Sequence, residues 1–390
     1  METRALAPPP AAKAAVPRPD NGSDVVIVTE QVGEFGGTER VLEALLDGYP
    51  RARALAPRFG PSDDDPRWDR VEEVARGSRR RHYLAPRYAR WMAAATLGPA
   101  RVVVSLSHNG WGTAVNVPAG ARHISYCAGL PRALYGFTDY YLAEYPRAVR
   151  PVLRATVPVL KRHNRRMMLR PDRLLANSDC SADSLAAVLG RKPEVIHPPV
   201  ATDFFTPPVF DKREHFLVVA RLRPQKRVDV VVDAFRGIDA PLVVAGEGPL
   251  LEPLRNRASS NVAFAGYVSD EELLRLYRQS HAVICPSVED FGLVMAEAHA
   301  TATPVIAPRA GGALEIVSDH TGVLVDRVDE AGLRKAVRQV MLGRFDRSAL
   351  RASAGRFSVD NFLAQIDAII DEERERATVP ITRSARSSGA

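Results

Sequence analysis

Two glutamates eight residues apart, Glu289 and Glu297, flank a glycine in the segment ICPSVEDFGLVMAEAHATATPVIAP at residues 284–308. The apolar run ending near Cys285 reads as a strand, the loop after it carries Glu289, and Gly292 opens a helix that bears Glu297. Free amides at Phe291, Gly292 and Leu293, aligned with the helix dipole, make an anion site of the kind that seats a phosphate. At 1.5 Å rise per residue, Glu297 lies roughly 7 to 8 Å along the axis from Gly292. That is about one nucleoside's reach from a diphosphate at the helix mouth, and a carboxylate there suits a ribose diol. The plainer alternative is a pair of surface acids at a helix start. Upstream, ARLRPQKRVD at 220–229 ends a strand and enters a helix, which places Arg221 and Lys226 at a second strand end. A guanidinium fork and a compact ammonium together suit a diphosphate whose leaving-group charge grows during reaction. Solvated surface cations are the alternative. A third element, EFGGTERV at 34–41, follows an apolar strand, and Gly36 with Gly37 permits a tight turn whose amides face a ligand.

These segments need elements that bring strand ends to one place. From Asp24 the chain alternates short apolar strands with helical stretches: VVIVTE, ERVLEALLDGY, RVVVSLS, HISYC, RLLANS and EVIHPP. That rhythm is βαβ and predicts a parallel sheet. The four prolines of HPPVATDFFTPP at 197–208 interrupt it as a linker. A second βαβ series follows, with strands FLVVARL, APLVVAG, NVAFAGY, HAVICP, TPVIAP and GVLVD. The expected fold is α/β, with two doubly wound parallel sheets facing across a cleft between their strand C-terminal edges, where ligands bind in such sheets.

In this order the motifs resemble those of the large retaining GT-B glycosyltransferase group called family 4, from about 24 to 370. The carriers are GGTER, LLANSDCSADSL, VIHPPVATDFF, VARLRPQKRVD, VVAGEGP, FAGYVSDEELLRLY and the spaced glutamates of EDFGLVMAE. The segment HISYCAGLPRALYG resembles a mannosyltransferase-like subset. The Ala- and Pro-rich residues 1–21 read as an unstructured arm, and the resemblance implies a Rossmann-like acceptor domain at 22–200 and a nucleotide-sugar domain at 201–360. A helix at 361–375 then returns to the first domain, and 376–390 forms a flexible tail. It implies Arg221, Lys226 and Glu289 as catalytic residues: the two cations on the donor diphosphate, the carboxylate on the donor sugar. Glu297 would take the ribose hydroxyls, the backbone near Tyr267 and Val268 the base, and the amides of Phe291, Gly292 and Leu293 phosphate or sugar. Gly36 and Gly37 would approach the diphosphate. The group usually has a histidine facing the sugar where this chain has Ala128, so His108 and His123 are candidate substitutes at sugar or acceptor. Gly311 and Gly312, with Glu315, are either part of the donor pocket or packing residues.

The implied activity moves a hexose from a nucleoside-diphosphate sugar, mannose from GDP-mannose first and a UDP-hexose second, to an acceptor hydroxyl of a glycan or lipid-linked saccharide. No cofactor and no metal are expected. The literal DxD of Asp63-Asp64-Asp65 lies in a proline-bounded loop and reads as a solvated turn. Neither GxGxxG nor GxxxxGK[ST] occurs, and GxSxG and HExxH are absent as well. A non-catalytic scaffold would have no use for Arg221, Lys226, Glu289 and Glu297 together.

At 390 residues, 46% hydrophobic and 25% charged, the composition is that of a globular chain and excludes disorder and fibres. No window reaches the roughly 18 apolar residues of a membrane span, and the first twenty lack the apolar core of a secretory signal. Three scattered cysteines form no CxxC pair. The expectation is a cytoplasmic protein. Its net charge of +7 is concentrated: residues 147–173 hold nine Lys/Arg against Asp172, a local +8, which leaves −1 elsewhere. Val152, Leu153, Val157, Val159, Leu160, Met167, Met168 and Leu169 interleave with those cations. This pattern is that of either a solvated helix face or an amphipathic helix on an anionic membrane surface, the inner face of the plasma membrane, with nucleic acid a weaker fit and not expected as a partner.

Overall fold

A computed structural model describes residues 22–30, 32, 36–58, 68–76, 87–107, 110–143, 145–208 and 213–378. The arm at 1–21, Asp63–Asp65, His108 and the tail from 379 lie outside them. The first sheet has seven strands: β1 (Val25–Thr29), β2 (Arg53–Arg58), β3 (Val71–Arg76), β4 (Val102–Ser107), β5 (Arg122–Cys127), β6 (Arg173–Ala176) and β7 (Glu194–Val195). The second has six: β8 (His215–Val219), β9 (Leu242–Ala245), β10 (Val262–Gly266), β11 (Ser280–Ile284), β12 (Val305–Pro308) and β13 (Gly322–Val325). All pairings are parallel, in the orders β3-β2-β1-β4-β5-β6-β7 and β10-β9-β8-β11-β12-β13. Strand order reverses between β1 and β4 and between β8 and β11, and crevices open at such switch points.

The helices cover the sheet faces. The first domain carries α1 (Gly37–Gly48), α2 (Arg87–Ala94), α3 (Thr138–Leu142), α4 (Arg150–Met168) and α5 (Asp179–Leu189). The second carries α6 (Val228–Ala234), α7 (Leu251–Arg257), α8 (Asp270–Arg278), α9 (Leu293–Ala300), α10 (Ala313–Ile316), α11 (Glu330–Leu342) and α12 (Arg347–Gly355). Central strands β1 and β4 are buried at every position, so they appear in sequence as unbroken apolar runs. β2 and β3, toward the sheet edge, carry RALAPR and VEEVAR instead and lack that signature.

A last helix, α13 (Val359–Arg376), starts from the Ser358 cap and returns to the first domain. Phe362, Leu363, Ile366, Ile369 and Ile370 join Val25, Ile27, Leu45 and Val104 in one core, each buried side chain stabilising by roughly 1.5 to 3 kcal/mol. Arg122 Nε donates to Glu373 at 2.7 Å, and Arg374 pairs with Asp24 at 2.8 Å. The two interdomain crossings run side by side: Val200 pairs with Ser358, and the Val200 amide donates to the Phe357 carbonyl at 2.8 Å.

The basic segment divides its apolar residues between core and surface. Leu153, Val157, Leu160 and Met167 of α4 pack into the core behind Trp111, while Met168 and Leu169 pack under α5. Val152 and Val159 alone of the eight named apolar residues are exposed. Most of the amphipathic face is consumed by the domain itself.

Candidate active site

The two switch points face each other. On the second sheet, the segment after β8 carries Arg221 and Lys226, and the loop after β11 carries Glu289, Asp290 and Gly292. Lys226 Nζ donates to both Glu289 oxygens, at 2.7 and 2.8 Å, and the Ser287 hydroxyl also donates to that carboxylate. The adjacent strands β8 and β11 thus bring together a lysine and a glutamate far apart in the chain. Arg221 is exposed at the same edge.

Gly292 caps α9 with φ 103° and ψ 63°, a left-handed conformation in which a Cβ would fall 2.0 Å from Met295 Cε. Phe291 turns its ring into the core, edge-on to Phe357 with centroids 5.0 Å apart, so only its backbone is offered to the cleft. Gly312 seats this loop: its amide donates to the Glu289 carbonyl at 2.9 Å, and a Cβ there would stand 2.0 Å from the Phe291 carbonyl oxygen. A Cβ on Gly311 would stand 2.4 Å from the Glu289 carbonyl oxygen. The glycine pair therefore serves close backbone packing beneath the glutamate loop.

Glu297 is 3% exposed on the inner side of α9. The Tyr277 hydroxyl donates to its Oε2 at 2.8 Å, and Arg40 Nη2 pairs with its Oε1 at 2.9 Å. Burial, and then the Glu297 charge, raise the Tyr277 phenol well above its ordinary pKa and keep it a donor. Arg40 belongs to the first turn of α1, just after Gly36 and Gly37. A Cβ on Gly37 would lie 3.3 Å from Leu293 Cδ1, so α1 and α9 meet at their N-terminal turns. Val268 lies partly buried beyond the end of β10, against the second-domain core.

Two further contacts cross the cleft. Arg132, in the segment after β5, donates to Asp290 at 3.1 Å. Burial disfavours the Arg132 cation, but Asp290 and Glu289 outweigh it and raise its pKa. Glu315 of α10 accepts from the Asp179 and Cys180 amides at the N-terminus of α5, at 3.0 and 3.3 Å, and bonds His197 Nε2 at 2.9 Å. Burial opposes its ionisation, yet those hydrogen bonds lower its pKa.

His123 is corrected by the structure. It lies at the start of β5, away from the cleft edge, 3% exposed and bonded to Ser105 Oγ at 2.9 Å. Burial lowers its pKa to about 3, so it is a neutral core histidine. Sequence reasoning missed Arg40, Arg132, Tyr277 and Asp290. Each lies inside a motif segment that gave it no role: Arg40 ends GGTER, Asp290 is in EDFGLVMAE, Arg132 in HISYCAGLPRALYG, and Tyr277, which reads as an ordinary core aromatic, ends FAGYVSDEELLRLY. Among the described residues, no group of three or more His, Cys, Asp or Glu could hold a metal ion, and no helix is long and apolar enough to cross a membrane.

Residues 200–356 match the family described as glycosyl transferases group 1. The chain is 36% identical over 185 residues to a D-inositol 3-phosphate glycosyltransferase of Mycobacterium sp. (strain KMS), covering 40% of this chain and 42% of that one. It is 33% identical over 193 residues to a GDP-mannose-dependent alpha-(1-6)-phosphatidylinositol monomannoside mannosyltransferase of Mycobacterium tuberculosis, covering 42% and 50%. The matches span about half the length of these relatives. Among solved structures, sucrose-phosphate synthase from Thermosynechococcus elongatus superposes with a TM-score of 0.67 at 17% identity, covering 90% of this chain and 98% of that one. Anabaena HepE in complex with UDP superposes with a TM-score of 0.68 at 18% identity, covering 90% and 100%. The architecture is thus the two-domain GT-B fold, and its second domain carries the match to glycosyl transferases group 1.

Proposed function

We propose that this chain is a retaining glycosyltransferase that moves a hexose from a nucleoside-diphosphate sugar to an acceptor hydroxyl, with GDP-mannose as the first donor and a lipid-linked saccharide or glycolipid as the acceptor. One observation carries the reading: Lys226 and Glu289 meet at 2.7 Å in front of the glycine-capped N-terminus of α9. Lys226 and Arg221 would hold the diphosphate, the α9 amides its oxygens or the sugar, Glu289 the hexose and Glu297 the ribose diol. The acceptor oxygen forms a bond to the anomeric carbon on the face from which the diphosphate leaves. The bond from that carbon to the phosphate oxygen breaks, and the acceptor proton passes to the departing phosphate. Positioning and stabilisation of the leaving charge then supply most of the catalysis, with no protein nucleophile and no metal.

The name of the mycobacterial mannosyltransferase supports GDP-mannose and a lipid acceptor. A second reading, a UDP-hexose donor with a soluble acceptor, is favoured by the inositol-phosphate relative and by the UDP complex of HepE. Thermal shifts with GDP, UDP and their hexoses, repeated on Arg221→Ala and Glu297→Ala, separate the two, because selective binding raises apparent stability. Stabilisation of the wild type by one nucleotide, absent in both variants, supports the site and fixes the base. Stabilisation by none defeats the reading.

A peripheral position at a membrane would use the exposed Val149, Val152 and Val159, spaced three and seven residues apart along α4 and the turn before it, with Arg162 and Arg166 further along the same helix. Flotation with anionic liposomes, lost when Arg162, Arg165 and Arg166 are neutralised, is the expected outcome. Absence of flotation removes the membrane from the proposal and favours the soluble acceptor.

A further inference from the structure

The carboxylate assigned to the ribose diol is already engaged from both sides, and the two partners differ in kind. Tyr277 comes from the same domain, is fully buried, and forms part of the seat in which Glu297 rests. Arg40 comes from the opposite domain, and its side chain retains 14% exposure. We propose that Arg40 is a displaceable latch on the donor site: a nucleotide takes Glu297 Oε1 from it, so donor affinity is set by competition between the ribose diol and an arginine of the acceptor domain. The inference rests on the assignment of Glu297 to the ribose.

The two carboxylate oxygens face different domains. Oε2 faces the fully buried Tyr277, whereas Oε1 faces Arg40 of the other domain, beside the place where Gly37 of α1 meets Leu293 of α9. A diol that binds Glu297 Oε1 takes the position that the Arg40 guanidinium holds. Tyr277 stays on Oε2, but Oε1 vacated by Arg40 would be left without a donor, and a buried acceptor with an unmade hydrogen bond is costly. Release of Arg40 is therefore tied to arrival of hydroxyl donors, and Arg40, whose side chain is 14% exposed while Tyr277 is fully buried, is the partner able to leave. Since Arg40 sits on the first turn of α1, occupation of the ribose site also unfastens one contact between the domains. Arg132 with Asp290, and Glu315 with the start of α5, stay in place. Apparent affinity is then lowered by the fraction of molecules in which the latch is closed.

The test is calorimetric titration of the full chain with GDP and UDP and with their 2′,3′-dideoxy counterparts, on wild type, Arg40→Gln and Arg40→Lys. Arg40→Gln is expected to tighten binding of the diol-bearing nucleotide roughly tenfold, within the usual span of coupling between sites, and to leave the dideoxy counterpart unchanged. Arg40→Lys, which keeps the charge but not the fork, is expected to fall between and decides the matter if Arg40→Gln fails to give a cooperative melt. Weaker or unchanged binding of the diol-bearing nucleotide by the variants, with wild type still preferring it over the dideoxy form, overturns the latch and leaves the ribose assignment standing. Equal binding of the two forms by wild type, or binding of neither, overturns the ribose assignment and the latch with it.

Discussion

The two sheets share one winding order, yet they serve the cleft differently. The second domain presents its groups on adjacent strand ends: Lys226 after β8 and Glu289 after β11 meet at 2.7 Å, and glycines 292, 311 and 312 hold the loop close. The first domain reaches over with separate cations, Arg40 from α1 and Arg132 from the segment after β5, each ending on a second-domain acid. One half is assembled from contacts within a single domain. The other half acquires its partners through the placement of two domains, and it responds to any change in that placement.

Removing the ammonium from the self-assembled half has the largest expected effect. Lys226→Ala should lower transferase turnover about 10²- to 10³-fold, as loss of one stabilising donor does elsewhere, with the fold intact by circular dichroism. Turnover close to wild type would mean that the second domain does not hold the leaving group. Gly312→Ala should follow, since its Cβ would stand 2.0 Å from the Phe291 carbonyl oxygen. Overpacking of this kind costs about 1 to 3 kcal/mol, and the displaced loop should weaken nucleotide binding in a titration while Gly355→Ala, where a Cβ meets nothing within 4 Å, should not.

Burial acts alike on one histidine in each domain. His123 in the first and His299 in the second are both held neutral by burial, with pKa values lowered to about 3 from 6.5. The unfolded chain takes up those protons first, so their contribution to stability is complete above pH 6.5 and is lost as pH falls toward 3. Melting temperature should drop across that window, and His299→Gln should flatten the second domain's share of the slope. An unchanged slope in the variant would place the acid sensitivity elsewhere. The smallest effect concerns Arg132 and Asp290, whose side chains are 37% and 48% exposed. A double-mutant cycle on unfolding free energy should give about 0.2 to 1 kcal/mol, the range of exposed pairs. A much larger coupling would make this contact a principal tie between the domains.

Much of the second domain was legible because its signals are local. Buried strands β8, β9 and β11 appear as apolar runs, Gly292 marks the start of the helix that carries Glu297, and Arg221, Lys226 and Glu289 follow strand ends. The first domain was harder to read for physical reasons. β2 and β3 lie toward a sheet edge and need no continuous apolar run, and the stripe on α4 is amphipathic whether it faces a bilayer or its own core. His123 carries the same chemistry in a strand interior as in a site, and only its burial against Ser105 separates the two.

By itself, then, the sequence determined the alternation of strands and helices outside β2 and β3, the glycines that permit close turns, and the order of the charged segments, because each depends on neighbours within a few residues. The tertiary structure decided which acids meet which cations. Arg40 with Glu297, Arg132 with Asp290, and Glu315 with the start of α5 join groups far apart in the chain whose encounter depends on how two sheets are set against each other, and local periodicity does not encode that placement.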